Sequence, residues 1–278
     1  MNIKNLPETD LIYRFWQPEV KPRASFLLIH GLGAHSGRWH FFGEYFAERG
    51  FASYALELKG FGETSAIPGH IWSFETYFED IKRIYGYIKK EHPANEIFLA
   101  GESLGALISF LMASRQSELF SGLICFSPAF KNRMKFSLST YLQFVFYLYF
   151  FPIKQFKMPF NSQMCTRDAA YQKEMDSSWR ETRVATARML WNILKGQISS
   201  AAAAGKVTCP VLFLLAGEDK DQLVVPAAAK KIFKKIKTKD KQLIEYSAML
   251  HALSIELERE KVFEDVLKWV NEKIRFNN

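Results

Sequence analysis

The chain has 278 residues, 48% hydrophobic and 24% charged, which excludes a disordered or repetitive polymer and leaves either one large domain with an insertion or two domains. Its formal net charge of +8 permits attraction to anionic surfaces, but no RNP, helix-turn-helix or zinc-finger pattern accompanies it, so no nucleic-acid partner is expected. Cys125, Cys165 and Cys209 are too widely spaced for a CxxC or a Cys/His cluster, and they read as reduced core thiols rather than metal ligands or a disulfide framework.

The opening MNIKNLPETDLIYRF lacks the charged start, apolar core and cleavage site of a secretory signal, so a cytoplasmic location is expected. ASFLLIH (24–30) reads as a buried strand, WHFFGEYFAERG (39–50) as a helix ending at Gly50, and FASYALEL (51–58) as a strand. FETYFEDIKRIYGYIKKEH (74–92) is an amphipathic helix stopped before Pro93. The strand EIFLAG, a helix over 104–115 and the strand GLICFSP (122–128) follow. The rhythm returns with the strand CPVLFLLAG (209–217), the helix PAAAKKIFKKIK, the strand KQLIEYS (241–247) and the last helix ELEREKVFEDVLKWVNEKI. Short apolar strands alternating with helices imply an α/β fold, a mainly parallel central sheet flanked by helices.

Residues 129–205 break the alternation with an aromatic run, FSLSTYLQFVFYLYFFPI, a polar helical stretch and the small-residue hinge SSAAAAG. The expected organisation is a first core part over 1–128, an inserted helical cap or lid over 129–205, and a second core part over 206–278.

Between EIFLA and ALISFLMAS lies Gly101-Glu102-Ser103-Leu104-Gly105, a Gly-x-Ser-x-Gly in strand-turn-helix context. That is a nucleophile elbow: the glycines let strand and helix approach while the serine takes a strained conformation that exposes its hydroxyl. A neutral hydroxyl needs a base and an acid behind that base, in the chain order serine, acid, histidine. Of six histidines only His251, in SAMLHAL, follows Ser103. The acid should leave the preceding strand, where PVLFLLAGEDKDQLVVP supplies Glu218, Asp219 and Asp221. Counting from Pro210 favours Asp219, while counting back from His251 and from the helix at Pro226 favours Asp221, so both stand as candidates. Two backbone donors must meet the oxyanion. The amide of Leu104, after the nucleophile, and that of Leu32, in the turn HGLGAHSGRW, are the candidates, with His30 organising that turn.

On these residues the chain resembles an α/β-hydrolase of the monoacylglycerol lipase and lysophospholipase type over nearly its whole length. HGLGAHSGRW is similar to that family's oxyanion segment, LELKGFGETS to its second loop, GESLG to its elbow, and TRDAAYQKEMDSSWRETRVATARML to its cap helix. The resemblance implies Ser103 as nucleophile, Asp219 or Asp221 as acid and His251 as base, and it implies no metal or organic cofactor. It also implies a serine ester hydrolase for single-chain lipid esters, monoacylglycerol or lysophospholipid. The alternatives are a carboxylesterase or thioesterase for shorter acyl groups, or a non-catalytic lipid-binding member of the fold. Four positions depart from the family pattern: Glu57 for Asp, Phe61 for His, Glu102 for His and Ala106 for Gly.

The aromatic run 136–153 is long enough to span a membrane, but Ser137, Ser139, Thr140 and Gln143 interrupt it and a span would split the sheet. It is expected to line a tunnel for an acyl chain of roughly 8 to 18 carbons. Its aromatic face is expected to dip into a membrane interface, rimmed by Lys131, Arg133, Lys135, Lys154 and Lys157, so the protein would be peripheral at the membrane.

Overall fold

The computed structural model describes residues 2–64, 66–133 and 137–274. In chain order these form β1 (Asn2–Asn5), β2 (Ile12–Trp16), β3 (Ser25–Ile29), α1 (His40–Ala47), β4 (Ala52–Leu56), α2 (Phe74–Glu91), β5 (Ile97–Glu102), α3 (Leu104–Ala113) and β6 (Gly122–Phe126). An inserted stretch follows with α4 (Leu138–Phe150), β7 (Gln155–Lys157), α5 (Ser162–Cys165), α6 (Ala169–Ser177), β8 (Val184–Thr186) and α7 (Ala187–Ala203). The chain then returns to β9 (Val211–Ala216), α8 (Pro226–Lys235), β10 (Lys241–Tyr246) and α9 (Arg259–Lys273).

Eight strands share one sheet in the order β1-β2-β4-β3-β5-β6-β9-β10. From β4 to β10 every neighbouring pair is parallel, whereas β1 and β2 pair antiparallel with each other and β2 pairs antiparallel with β4. The parallel strands read as continuous apolar runs because both faces are covered. In β3, Leu27 and Ile29 enter the core shared with α2, α3, α7 and α8, while Phe26 and Leu28 enter the core shared with α1 and α9. Phe26 packs edge-on against Phe42 and Phe46 of α1, with centroids 5.1 and 4.7 Å away, an arrangement favoured by the aromatic quadrupole.

The two N-terminal strands were not expected from the sequence. β1 forms the sheet edge and β2 lies next to it, and β2 mixes half-buried and buried positions around a buried Arg14 instead of forming an apolar run. The expected helix over 74–92 ends at Glu91, is capped by Ser73 accepting the Glu75 amide at 3.2 Å, and stops ahead of Pro93. Cys125, Cys165 and Cys209 are buried free thiols.

The stretch between β6 and β9 is anchored by α7, which lays Met189 and Ile193 into the core beside α3. Its hairpin of β7 and β8 is a separate two-stranded sheet. No helix among the described residues is long and apolar enough to cross a membrane. Lys135 and Phe136, expected in the basic rim and the aromatic run, lie outside the described residues.

Candidate active site

Strand β5 delivers Ser103 to the carboxyl edge of the sheet, and the chain turns straight into α3. Ser103 holds φ 57° and ψ −116°, a left-handed conformation that costs a non-glycine residue free energy and persists only where its surroundings enforce it. They do so through its amide, donated to the Phe126 carbonyl at 2.9 Å, and its carbonyl, which accepts the amides of Leu107 and Ala129, each at 3.1 Å. The flanking glycines are required by close approach. A Cβ on Gly105 would stand 2.1 Å from the Ile29 carbonyl oxygen, and one on Gly101 would stand 2.4 Å from the Gly105 backbone. Helix and strands could not meet at this spacing with alanine at either place.

His251 sits in the loop after β10, 3% exposed. Its Nδ1 lies 2.8 Å from Asp221 Oδ2. The other carboxylate oxygen of Asp221 accepts the amides of Leu223 and Val224, both at 2.9 Å, so the acid is held by backbone on one side and imidazole on the other. Of the two aspartates open on sequence grounds, the structure brings Asp221 to the histidine and leaves Asp219 exposed. The reason is a tight turn in which the Lys220 and Asp221 amides both bond the Gly217 carbonyl, carrying Asp219 outward and Asp221 back under the loop.

Burial disfavours a charged imidazole, but the charge and hydrogen bond of Asp221 outweigh it and raise the pKa of His251 above its ordinary 6.5. Burial likewise pushes the Asp221 carboxyl up, and His251 with the two amides pulls it below the usual carboxylate range. Nε2 of His251 is buried and has no hydrogen-bond partner among the described residues. Ser103 and His251 line one cavity of about 80 Å³ together with Gly31, Leu32, Leu104 and Arg38.

The turn after β3 closes over the serine: a Cβ on Gly31 would fall 3.2 Å from the Cβ of Ser103. Among the described residues the amides of Leu32 and Leu104 have no acceptor. His30 takes the organising place expected of it, with Nε2 accepting the Leu58 amide at 3.0 Å and Nδ1 donating to the Gly31 carbonyl at 2.9 Å. Behind the turn, Glu57 accepts the amide and hydroxyl of Ser36 at 2.8 and 2.9 Å and pairs with buried Arg14 at 2.9 Å. Burial would raise the Glu57 carboxyl, but His30 and the Ser36 amide hold it down at about 2. Arg14 was not legible in advance, since nothing in IYRFW marks its arginine as buried. Arg38, from the same turn region, makes a two-pronged pair with Glu181 of the inserted stretch at 2.9 and 2.5 Å.

Glu102, unexplained by the sequence, is 5% exposed and lines the cavity. It accepts the Ser254 amide at 3.0 Å and the Ser254 hydroxyl at 2.9 Å. Burial raises its pKa, opposed by those bonds and by nearby His251. From the inserted stretch, Met158, Phe160, Cys165, Leu190 and Ile193 line the cavity. The run 136–153, expected to line it, contributes none of the described lining residues.

Residues 20–258 match the model of the serine aminopeptidase S33 hydrolase family. The chain is similar to a monoacylglycerol lipase of Mycolicibacterium smegmatis, 25% identical over 94% of this chain and 92% of the relative. It is also similar to the monoglyceride lipase of Mus musculus, 26% identical over 95% of this chain and 88% of that one. A soluble variant of monoglyceride lipase from Saccharomyces cerevisiae, solved with a substrate analogue, shares its fold with TM-score 0.87 at 19% identity, over 99% of this chain and 95% of the other. On sequence match and fold together, the chain belongs to the serine aminopeptidase S33 family and is a monoglyceride-lipase-like α/β-hydrolase.

Proposed function

We propose that this carboxylic ester hydrolase cleaves single-chain lipid esters, monoacylglycerol or lysophospholipid, through Ser103, His251 and Asp221. The observation that carries the reading is the His251–Asp221 pair at 2.8 Å, facing the same cavity as a serine in left-handed conformation. In this reading His251 Nε2 takes the hydroxyl proton as Ser103 Oγ attacks the ester carbonyl. The amides of Leu32 and Leu104 then hold the tetrahedral oxyanion, each worth on the order of 10²–10³ in rate. Collapse expels the alcohol, which takes the proton from His251, and leaves an acyl-serine. Water attacks that ester with His251 again as base, releasing fatty acid and restoring Ser103. Asp221 fixes the imidazole tautomer and offsets the charge of the imidazolium.

The residues 129–205 act as a cap in this account, with Met158, Phe160, Leu190 and Ile193 presenting an apolar wall to the acyl chain. A cavity of about 80 Å³ is below the ~300–1,000 Å³ of most ligand sites, so a long acyl chain enters only as the cap moves outward. Helix α4 serves as the membrane contact. None of its thirteen residues is buried; Leu142, Val145 and Tyr149 are 64%, 62% and 83% exposed, and Lys131, Lys154 and Lys157 flank it on the surface.

The same small cavity favours one alternative, an esterase or thioesterase for shorter acyl groups. Hydrolysis of p-nitrophenyl esters from two to sixteen carbons, beside monoacylglycerol and lysophospholipid, separates the two. The lipid reading expects kcat/KM to rise with chain length. A maximum at two to four carbons would replace it with the short-chain reading. Ser103→Ala should abolish activity on all of them.

A further inference from the structure

The loop bearing His251 is tied down at several places. Asp221 holds the imidazole, Glu256 accepts the Leu250 amide at 3.0 Å, the Cys165 carbonyl accepts the Ala252 amide at 2.8 Å, and Glu102 accepts both donors of Ser254. Three of these anchors come from another loop, from the end of α5 or from the chain close by. Glu102 alone belongs to the nucleophile's own strand, one residue before Ser103. The two Ser254 bonds engage separate carboxylate oxygens, so the carboxylate cannot rotate without breaking one. All participants are buried: Glu102 is 5%, Ser254 1% and His251 3% exposed.

We propose that Glu102 is a positioning residue for catalysis, clamping the turn Leu253–Ile255 behind His251 to the strand that ends in Ser103 and so fixing the separation of nucleophile and base. This rests on the roles proposed above for Ser103 and His251. A glutamate fits the task because it spans from the strand end to the turn and offers two acceptors to a serine's amide and hydroxyl at once. The arrangement has an electrostatic consequence as well. Three charged groups bear on His251, namely Asp221, Glu102 and Arg38, the last already paired with Glu181. Around Glu102 stand His251 and Arg38, with Cys165 and Tyr171 also within electrostatic reach. Glu102 is thus a second carboxylate stabilising the imidazolium that forms during attack.

The test uses the full chain with Glu102→Gln, which keeps the shape but loses the charge and one acceptor, together with Ser254→Ala and the double variant. Each single variant should lower kcat about tenfold with KM changed less than about twofold, and the double should be no worse than the weaker single, since both break one clamp. Glu102→Gln should also move the acid limb of kcat/KM to lower pH, because removing a nearby carboxylate disfavours the imidazolium, while Ser254→Ala leaves the limb in place. A kcat within about twofold of wild type in both singles, additive losses, or an unmoved acid limb in Glu102→Gln would overturn the inference. Should Glu102→Gln fail to fold, Ser254→Ala at wild-type kcat overturns it alone, and a tenfold kcat loss at unchanged melting temperature upholds it. Fluorophosphonate labelling of Ser103 in the wild type tests the parent reading separately: no label there removes that reading and this inference together, whereas normal labelling with unaffected variants removes this inference only.

Discussion

Helices α3 and α4 are both strongly apolar, yet every one of the ten residues of Leu104–Ala113 is buried and none of the thirteen in Leu138–Phe150 is. Helix α3 is hydrophobic on all sides because sheet, α2 and α7 surround it, and its N-terminus fixes the serine. Helix α4 is mostly apolar but packs chiefly on α7, with Tyr147 against Phe156 of β7, so its exposed apolar surface carries a cost in water that a lipid interface would remove. Composition alone does not tell a core helix from an exposed one. What separates them is the neighbourhood supplied by the rest of the fold.

That contrast can be broken or sharpened by substitution. The largest effect belongs to the end of α3 where the proposed nucleophile lies: Ser103→Ala should lower kcat/KM on lipid esters by roughly 10⁵-fold or more, with circular dichroism and melting unchanged. Next, Asp221→Asn should cost roughly 10³–10⁴-fold while Asp219→Asn, altering an exposed side chain, stays within about twofold; equal effects would reject the turn geometry that separates them.

On stability the two helices should part. Phe110 of α3 is 0% exposed and packs edge-on to Phe130 at 4.9 Å, so Phe110→Ala should destabilise by about 3–5 kcal/mol in urea unfolding. Phe146 of α4 is 50% exposed, and Phe146→Ala should cost less than about 1 kcal/mol. The order should reverse in sedimentation with anionic vesicles at low salt, where Phe146→Ser with Phe150→Ser should weaken binding several-fold. Wild-type protein that stays in the supernatant would remove the membrane role of α4. The smallest effect is in pH. In the proposed mechanism the neutral imidazole is the base, and its pKa is raised above 6.5, so kcat/KM should fall as pH drops through a midpoint above 6.5. In Asp221→Asn the residual activity should show that midpoint displaced downward.

How much of this could be read in advance follows the range of the interactions. The parallel strands were legible because burial on both faces writes an uninterrupted apolar run, as in SFLLI and VLFLLA. Ser103 and His251 were legible because the elbow is a local motif and only one histidine follows it. The partner of His251 was legible only as a pair of aspartates, since the choice depends on how a five-residue turn from Gly217 to Asp221 winds, which spacing does not encode. Strands β1 and β2 carry no such run, and the partners of Glu57 and Glu102 lie far away in sequence: Ser254 is 152 residues from Glu102. The aromatic run was legible as exceptional, but its exposure and its absence from the cavity lining depend on how α7 docks.

The most direct test of the account is the site of covalent labelling. Wild-type protein treated with a long-chain fluorophosphonate and digested should give one adduct, on Ser103, lost in His251→Ala and blocked by excess monoacylglycerol. An adduct on another residue, or none at all in folded protein, would contradict it.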